Sequence, residues 1–160
     1  MKSRLDINIA PGIYKAMSGL ESYLHQSGLD IPLMHLIKLR ASQLNGCAYC
    51  IDMHWKDLRA IGENEQRLYG LDAWHESPYY SERERAALAW TEAVTLITDG
   101  HVSDQVYEQV KPHFNDKELA DLTMAVATIN AWNRLAIASR SEAGKYQPVR
   151  AAIHETGKNA

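Results

Sequence analysis

A chain of 160 residues, 46% of them hydrophobic and 23% charged, is long enough to bury a core of its own and is most simply a single domain over residues 1–160. A formal charge of -3 and a pI near 6.1, with no run of like charge, give no electrostatic reason to expect nucleic acid or an anionic membrane as a partner. No apolar stretch approaches the roughly 18 residues that span a bilayer, and the opening MKSRLDINIA is too polar for a secretory leader, so the expected location is the cytoplasm.

The elements follow in chain order. Pro11 suits the first turn of a helix running to about Gln26, with Ile13, Met17, Leu20 and Leu24 on one face and Gly28 beyond its end. From Pro32 to Leu44, the residues Leu33, Leu36, Ile37, Arg40 and Leu44 recur at helical spacing. Asn45-Gly46 is a breaker pair, so a new helix starts near Cys47 and runs to about Ile61, where Gly62 closes it. Asn64 to Tyr69 reads as a short helix, followed by a WHESPYY loop. Ser81 with Glu84 forms a capping box that opens a helix from Glu82 to about Thr98. Asp99-Gly100 is a turn, Ser103 caps a helix through Val110, and Asn115 with Glu118 caps the last long helix, to about Ser139. No β-like alternation persists. The fold is expected to be all-α, a bundle of six or seven helices with its core over about 11–140. The tail, 144–160, is polar, carries Gly144, Pro148 and Gly157, and is expected to fray.

The last helix, LADLTMAVATINAWNRLAIASR, is apolar nearly all round, as befits burial inside the domain or at a subunit interface. Asn130, Asn133 and Arg134 on it then need polar partners.

The only two cysteines, Cys47 and Cys50, stand in NGCAYCIDMHWKDL with His54 four residues after the second. They are too few for a disulfide scaffold, and in a reducing compartment a bond between them would be transient and catalytic. On a helix beginning at Cys47, Cys47, Cys50 and His54 share one face. The helix N-terminus favours a thiolate, and His54 can take the Cys50 proton or stabilise the Cys50 thiolate as imidazolium. The set supplies a nucleophile, a base and a second thiol, the outline of a dithiol redox centre.

Two other readings stay open. Zinc requires four ligands, or three and a water. Cys47, Cys50 and His54 would make three, but there is no second CxxC or HxxxH pair, and His35, His75, His101 and His113 are scattered. No metal and no other cofactor is expected on that ground. The third reading is two inert, buried cysteines.

The stretch LIKLRASQLNGCAYCIDMHWKDLRAIGE resembles the core motif of alkylhydroperoxidase D (AhpD)-like proteins of the carboxymuconolactone decarboxylase superfamily. The resemblance continues through SERERAALAWTEAVTLITDGHVSD and ELADLTMAVATINAWNRLAIASR, from about Pro11 to Arg140. It implies an AhpD-like all-α fold, assembly as a homo-oligomer (a trimer or a hexamer), and thiol-dependent reduction of small organic hydroperoxides. By the same resemblance Cys50 is the peroxidatic nucleophile, Cys47 resolves its sulfenic acid, and His54 relays the proton. An external dithiol or a protein reductant would reopen the disulfide. Superfamily kinship also admits a lactone decarboxylase needing neither cysteine, and a redox-sensing oligomer without catalysis is a further alternative.

The family commonly places a glutamate twelve residues before the first cysteine, as the outer member of the relay. Here that position is His35, which can pass a proton near neutral pH or serve as an ordinary half-buried side chain. Tyr49 stands where some relatives have a second histidine. Glu92, in LAWTEAVT, is the candidate replacement base, able to orient His54 if its face packs on the CxxC helix. His101, in the DGHVSD turn, is a weaker candidate. Trp74, Tyr79 and Tyr80 are either pocket walls or core.

Overall fold

The computed structural model describes residues 3–148. Seven α-helices occupy them: α1 Pro11–Gln26, α2 Ile31–Asn45, α3 Ala48–Ala60, α4 Glu65–Tyr69, α5 Glu82–Thr95, α6 Asp104–Val110 and α7 Asp116–Ser139. Short 3-10 turns lie at Ile7–Ile9, Leu71–Ala73 and Lys111–His113. No strand occurs among the described residues, so the all-α expectation holds. Gly157, like the rest of 149–160, lies outside them.

The helix ends follow the capping chemistry of the sequence. Asp30 accepts the Leu33 N–H at 3.1 Å to start α2, and Gly46, at φ 68°, ends it in the left-handed conformation. Reciprocal capping boxes open α5 at Ser81/Glu84 and α7 at Asn115/Glu118. Helix α5 stops at Thr95 rather than Thr98. Beyond it Leu96 and Ile97 are 41% and 51% exposed, so burial does little to hold another turn in place against the Asp99-Gly100 break.

Helix α2 is the centre of the molecule. It packs against α3, α5 and α7, and Leu33, Met34, Leu36, Ile37, Leu39 and Ala41 are all buried. One apolar cluster joins it to α1, α5, α6 and α7 through Leu24, Ile37, Ala87, Val110, Leu122 and Val126. Another joins Leu36 and Leu39 to Leu58, Leu71, Trp74, Tyr80 and Leu88. Trp74 and Tyr80 are therefore core, whereas Tyr79 is 39% exposed. At about 1.5–3 kcal/mol for each large side chain removed from water, these clusters fix the helices that carry the site. On α1 the expected face is only partly buried: Met17 and Leu24 are inside, while Ile13 is 39% exposed.

The third cluster, Ala41, Cys47, Cys50 and Ile129, ties the cysteine pair to α2 and α7. Alongside it runs a polar ladder. The Asn45 amide donates to Asn130 Oδ1 at 3.0 Å and Asn133 Oδ1 at 2.9 Å. Asn133 donates to Ser42 Oγ, and Asn130 to Thr95 Oγ1, each at 3.0 Å. Arg134 caps back onto Asn130 O at 2.9 Å. The asparagines of α7 thus find the partners that burial demands, and these bonds fix the register of α7 on α2.

The tail expected to fray is tied down at its start. Gly144 N–H donates to Asp52 Oδ2 at 3.0 Å, Lys56 Nζ donates to the Gly144 and Tyr146 carbonyls at 3.1 Å each, and Tyr146 Oη donates to Asp57 Oδ1 at 2.7 Å. Three side chains of α3 hold this segment, which spacing alone could not show.

Candidate active site

The Asn45-Gly46 break sets the cysteine pair. With α2 ended, the Cys47 N–H donates to Ser42 O at 3.0 Å, and Cys47 becomes the N-cap of α3 rather than its first residue. Its Sγ accepts the Cys50 backbone N–H at 3.4 Å. Cys47 and Cys50 are joined by a disulfide with their Cα atoms 5.4 Å apart, and both are buried, at 1% and 2% exposure.

His54 follows one turn after Cys50 on the same face of α3 and is 4% exposed. Its Nδ1 lies 3.2 Å from Nδ1 of His35, on α2, so one ring must donate and the other accept. His35 Nδ1 also lies 3.8 Å from Asp57 Oδ2. His54 Nε2 is buried without a hydrogen-bond partner. Burial, followed by the charges of Lys38 and His35, holds His54 well below the ordinary histidine pKa, which leaves a neutral imidazole at neutral pH. Burial also lowers His35, although the Asp57 carboxylate pulls the other way.

A cavity of about 290 Å³ opens onto this row, lined by Tyr14, Met34, Tyr49, Met53 and Trp132 as well as Cys50, His54, His35 and Asp57. Three charged residues of its wall, Lys38, Glu21 and Asp57, went unread in the sequence. Lys38 is 4% exposed, and its Nζ donates to Glu21 Oε2 at 2.6 Å. The other oxygen of Glu21 accepts from Trp132 Nε1 at 3.0 Å, so one carboxylate braces α1, α2 and α7 around the pocket. A signal was present. Lys38 stands three residues after His35, and Asp57 three after His54, so each pair shares a helix face.

Glu92 is placed elsewhere. Its Oε1 accepts from Arg40 Nε at 2.8 Å and Trp74 Nε1 at 2.7 Å, and its Oε2 lies 3.4 Å from His75 Nε2. Burial acts to raise its pKa, but the Trp74 and Arg40 bonds outweigh it and hold the carboxyl below its usual value. Its face packs on Arg40 and Trp74 instead of reaching His54, so the expected orienting contact is absent among these residues, and His35 occupies that place. His101 sits exposed in its turn at φ 57° and does not line the cavity.

The profile of the carboxymuconolactone decarboxylase family matches residues 11–93, and the uncharacterised protein YdfG of Bacillus subtilis is 45% identical over 135 residues, 84% of this chain and 92% of its own length. The chain belongs to the carboxymuconolactone decarboxylase family. Within it, the chain is AhpD-like. A protein of unknown function from Agrobacterium tumefaciens, provisionally described as the antioxidant defence protein AhpD, has a solved structure that superposes with a TM-score of 0.87 at 43% identity, over 91% of this chain and 100% of that one. An uncharacterised peroxidase-related protein from Ralstonia eutropha with an alkylhydroperoxidase AhpD core shares the fold, with a TM-score of 0.76 at 20% identity, over 87% of this chain and 74% of that one. The AhpD-like member described here keeps the CxxC pair and the histidine one turn beyond it.

Proposed function

We propose that this protein is a thiol-dependent peroxidase that reduces organic hydroperoxides. The observation that carries this reading is the disulfide-bonded Cys47–Cys50 pair, with Cys50 on the wall of a largely apolar cavity beside a buried, neutral His54. In the reduced protein, His54 takes the Cys50 proton. The thiolate attacks the terminal peroxide oxygen, the O–O bond breaks, and the leaving alkoxide takes a proton to become the alcohol. Cys50 is then a sulfenic acid. Cys47 condenses with it and releases water, which gives the disulfide. An external dithiol or a protein reductant restores both thiols by exchange. Proton traffic runs from His54 to His35, which stands at the family's glutamate position, with Asp57 behind it.

Met34, Met53, Tyr14 and Trp132 favour the alkyl or aryl group of the hydroperoxide by apolar contact. The packing of every cluster on or around α2 supports one domain over the whole chain. Leu5 and Ile9, at 48% and 80% exposure, supply apolar side chains for the interface of a homo-oligomer, a trimer or a hexamer. The expected location is the cytoplasm.

The test mixes reduced protein with excess cumene hydroperoxide at neutral pH and counts free thiols against time, with Cys50→Ser in parallel. Rapid loss of both thiols, with the intact mass lower by two hydrogens, is the expected result. Survival of both thiols for hours, or full turnover by Cys50→Ser, would overturn the assignment.

A further inference from the structure

The geometry points to a second use of the same histidine row: His35, His54 and Asp57 form a binding site for a divalent transition cation of the zinc class. Their ligand atoms, one from each residue, lie within 4.8 Å of one another. The two Nδ1 atoms face each other at 3.2 Å, and a zinc ion about 2.05 Å from both would subtend an N–Zn–N angle of roughly 103°, close to tetrahedral. The Asp57 Oδ2 atom lies 3.8 Å from His35 Nδ1, inside the roughly 4 Å that two ligands of one zinc can span. The carboxylate is already oriented from behind, its Oδ1 accepting from Tyr146 Oη at 2.7 Å, as ligating carboxylates generally are.

The surroundings permit the charge. Lys38 is the cation facing these groups from α2, and Glu21 neutralises it at 2.6 Å, which leaves Asp57 as the uncompensated charge beside the histidines. His25, from α1, reaches the cavity rim. A fourth position opens to the cavity, where a water or an incoming ligand would complete the coordination. Both cysteines are committed to each other in the disulfide, so this site does not need them, which separates it from the Cys47, Cys50 and His54 set weighed from the sequence. On the peroxidase reading, a bound cation and the proton relay exclude each other, because both use Nδ1 of His54. The site itself stands without that reading.

The test uses the full chain in its disulfide form, stripped with chelator, so that no thiol can bind. Zn²⁺ is titrated by calorimetry and Co²⁺ by visible absorption. One saturable equivalent in the micromolar range is expected, with the intense cobalt ligand-field bands of four coordination. His35→Gln and Asp57→Asn should each weaken binding by about tenfold or more, while His101→Gln keeps the wild-type affinity. Far-UV circular dichroism checks each variant, and Asp57→Asn carries the test alone if His35→Gln fails to fold. Absence of saturable binding, or binding that neither substitution weakens, would overturn the site.

Discussion

The buried His54 makes acid stability a direct readout of the site. In the unfolded chain its pKa is about 6.5, whereas in the folded protein burial and the Lys38 charge hold it well below that value. Between the two pKa values the unfolded chain binds a proton that the native protein refuses, so the free energy of unfolding must fall as pH drops. The contribution is intact above pH 6.5 and is lost progressively below it, until the native pKa is reached. To the extent that the native ring stays neutral, lowering the pH from 7.5 to 5.5 removes on the order of 1 kcal/mol through His54 alone. Against a total of roughly 5–15 kcal/mol, that loss is measurable. His35, lowered mainly by burial, adds to it with the same sign. Urea denaturation at the two pH values, on wild type and His54→Gln in reduced and disulfide forms, is the assay. The variant should lose less stability on acidification, by on the order of 1 kcal/mol. Equal losses in both proteins would mean that His54 is protonated in the native state, and the neutral-base argument would fail with it.

Other expectations follow from the same geometry. Asp57→Asn should slow peroxide-driven thiol loss by roughly ten- to a hundredfold while leaving both thiols titratable, and His35→Glu, which restores the family residue, should preserve turnover; stopped-flow thiol counting checks both. Glu92→Gln should cost about 1–3 kcal/mol in denaturant unfolding, because the Arg40 and Trp74 donors share its Oε1. Its initial peroxidase rate should match wild type, and a collapse of that rate in folded protein would return Glu92 to the relay. Gly46→Ala should cost about 1–2 kcal/mol for backbone strain at φ 68°, with no steric share, since nothing lies within 4 Å of the added carbon. Gly46→Asn should cost less, and equal losses would refute that conformational account.

The sequence disclosed what depends on neighbours along the chain. The caps at Ser81, Ser103 and Asn115, and the break at Gly46, could be read because capping is a local exchange between a side chain and nearby N–H groups, whereas the caps at Asp30 and Asn64 were not. Cys47, Cys50 and His54 share a face for the same local reason. What escaped depends on how one helix sits on another. Glu21 meets Lys38 and Trp132 only because α1, α2 and α7 converge, and Asp57 meets His35 only through the α2–α3 crossing. Glu92 is a relay candidate only if its face packs on the CxxC helix, and α5 turns that face to Arg40 and Trp74. Helical periodicity tells which residues share a stripe and leaves open the stripe they meet.

The three α3 side chains that hold Gly144 and Tyr146 carry a practical consequence. Asp57 spends one oxygen on Tyr146 and presents the other to His35, so the segment after α7 aims a carboxylate of the pocket. A protein shortened after Ala143 would still contain all seven helices. It would also lose the hydroxyl that steers Asp57, and the carboxylate would be free to swing toward Lys56 or water. Tyr146 thus acts on the histidine row from the far side of a hydrogen bond.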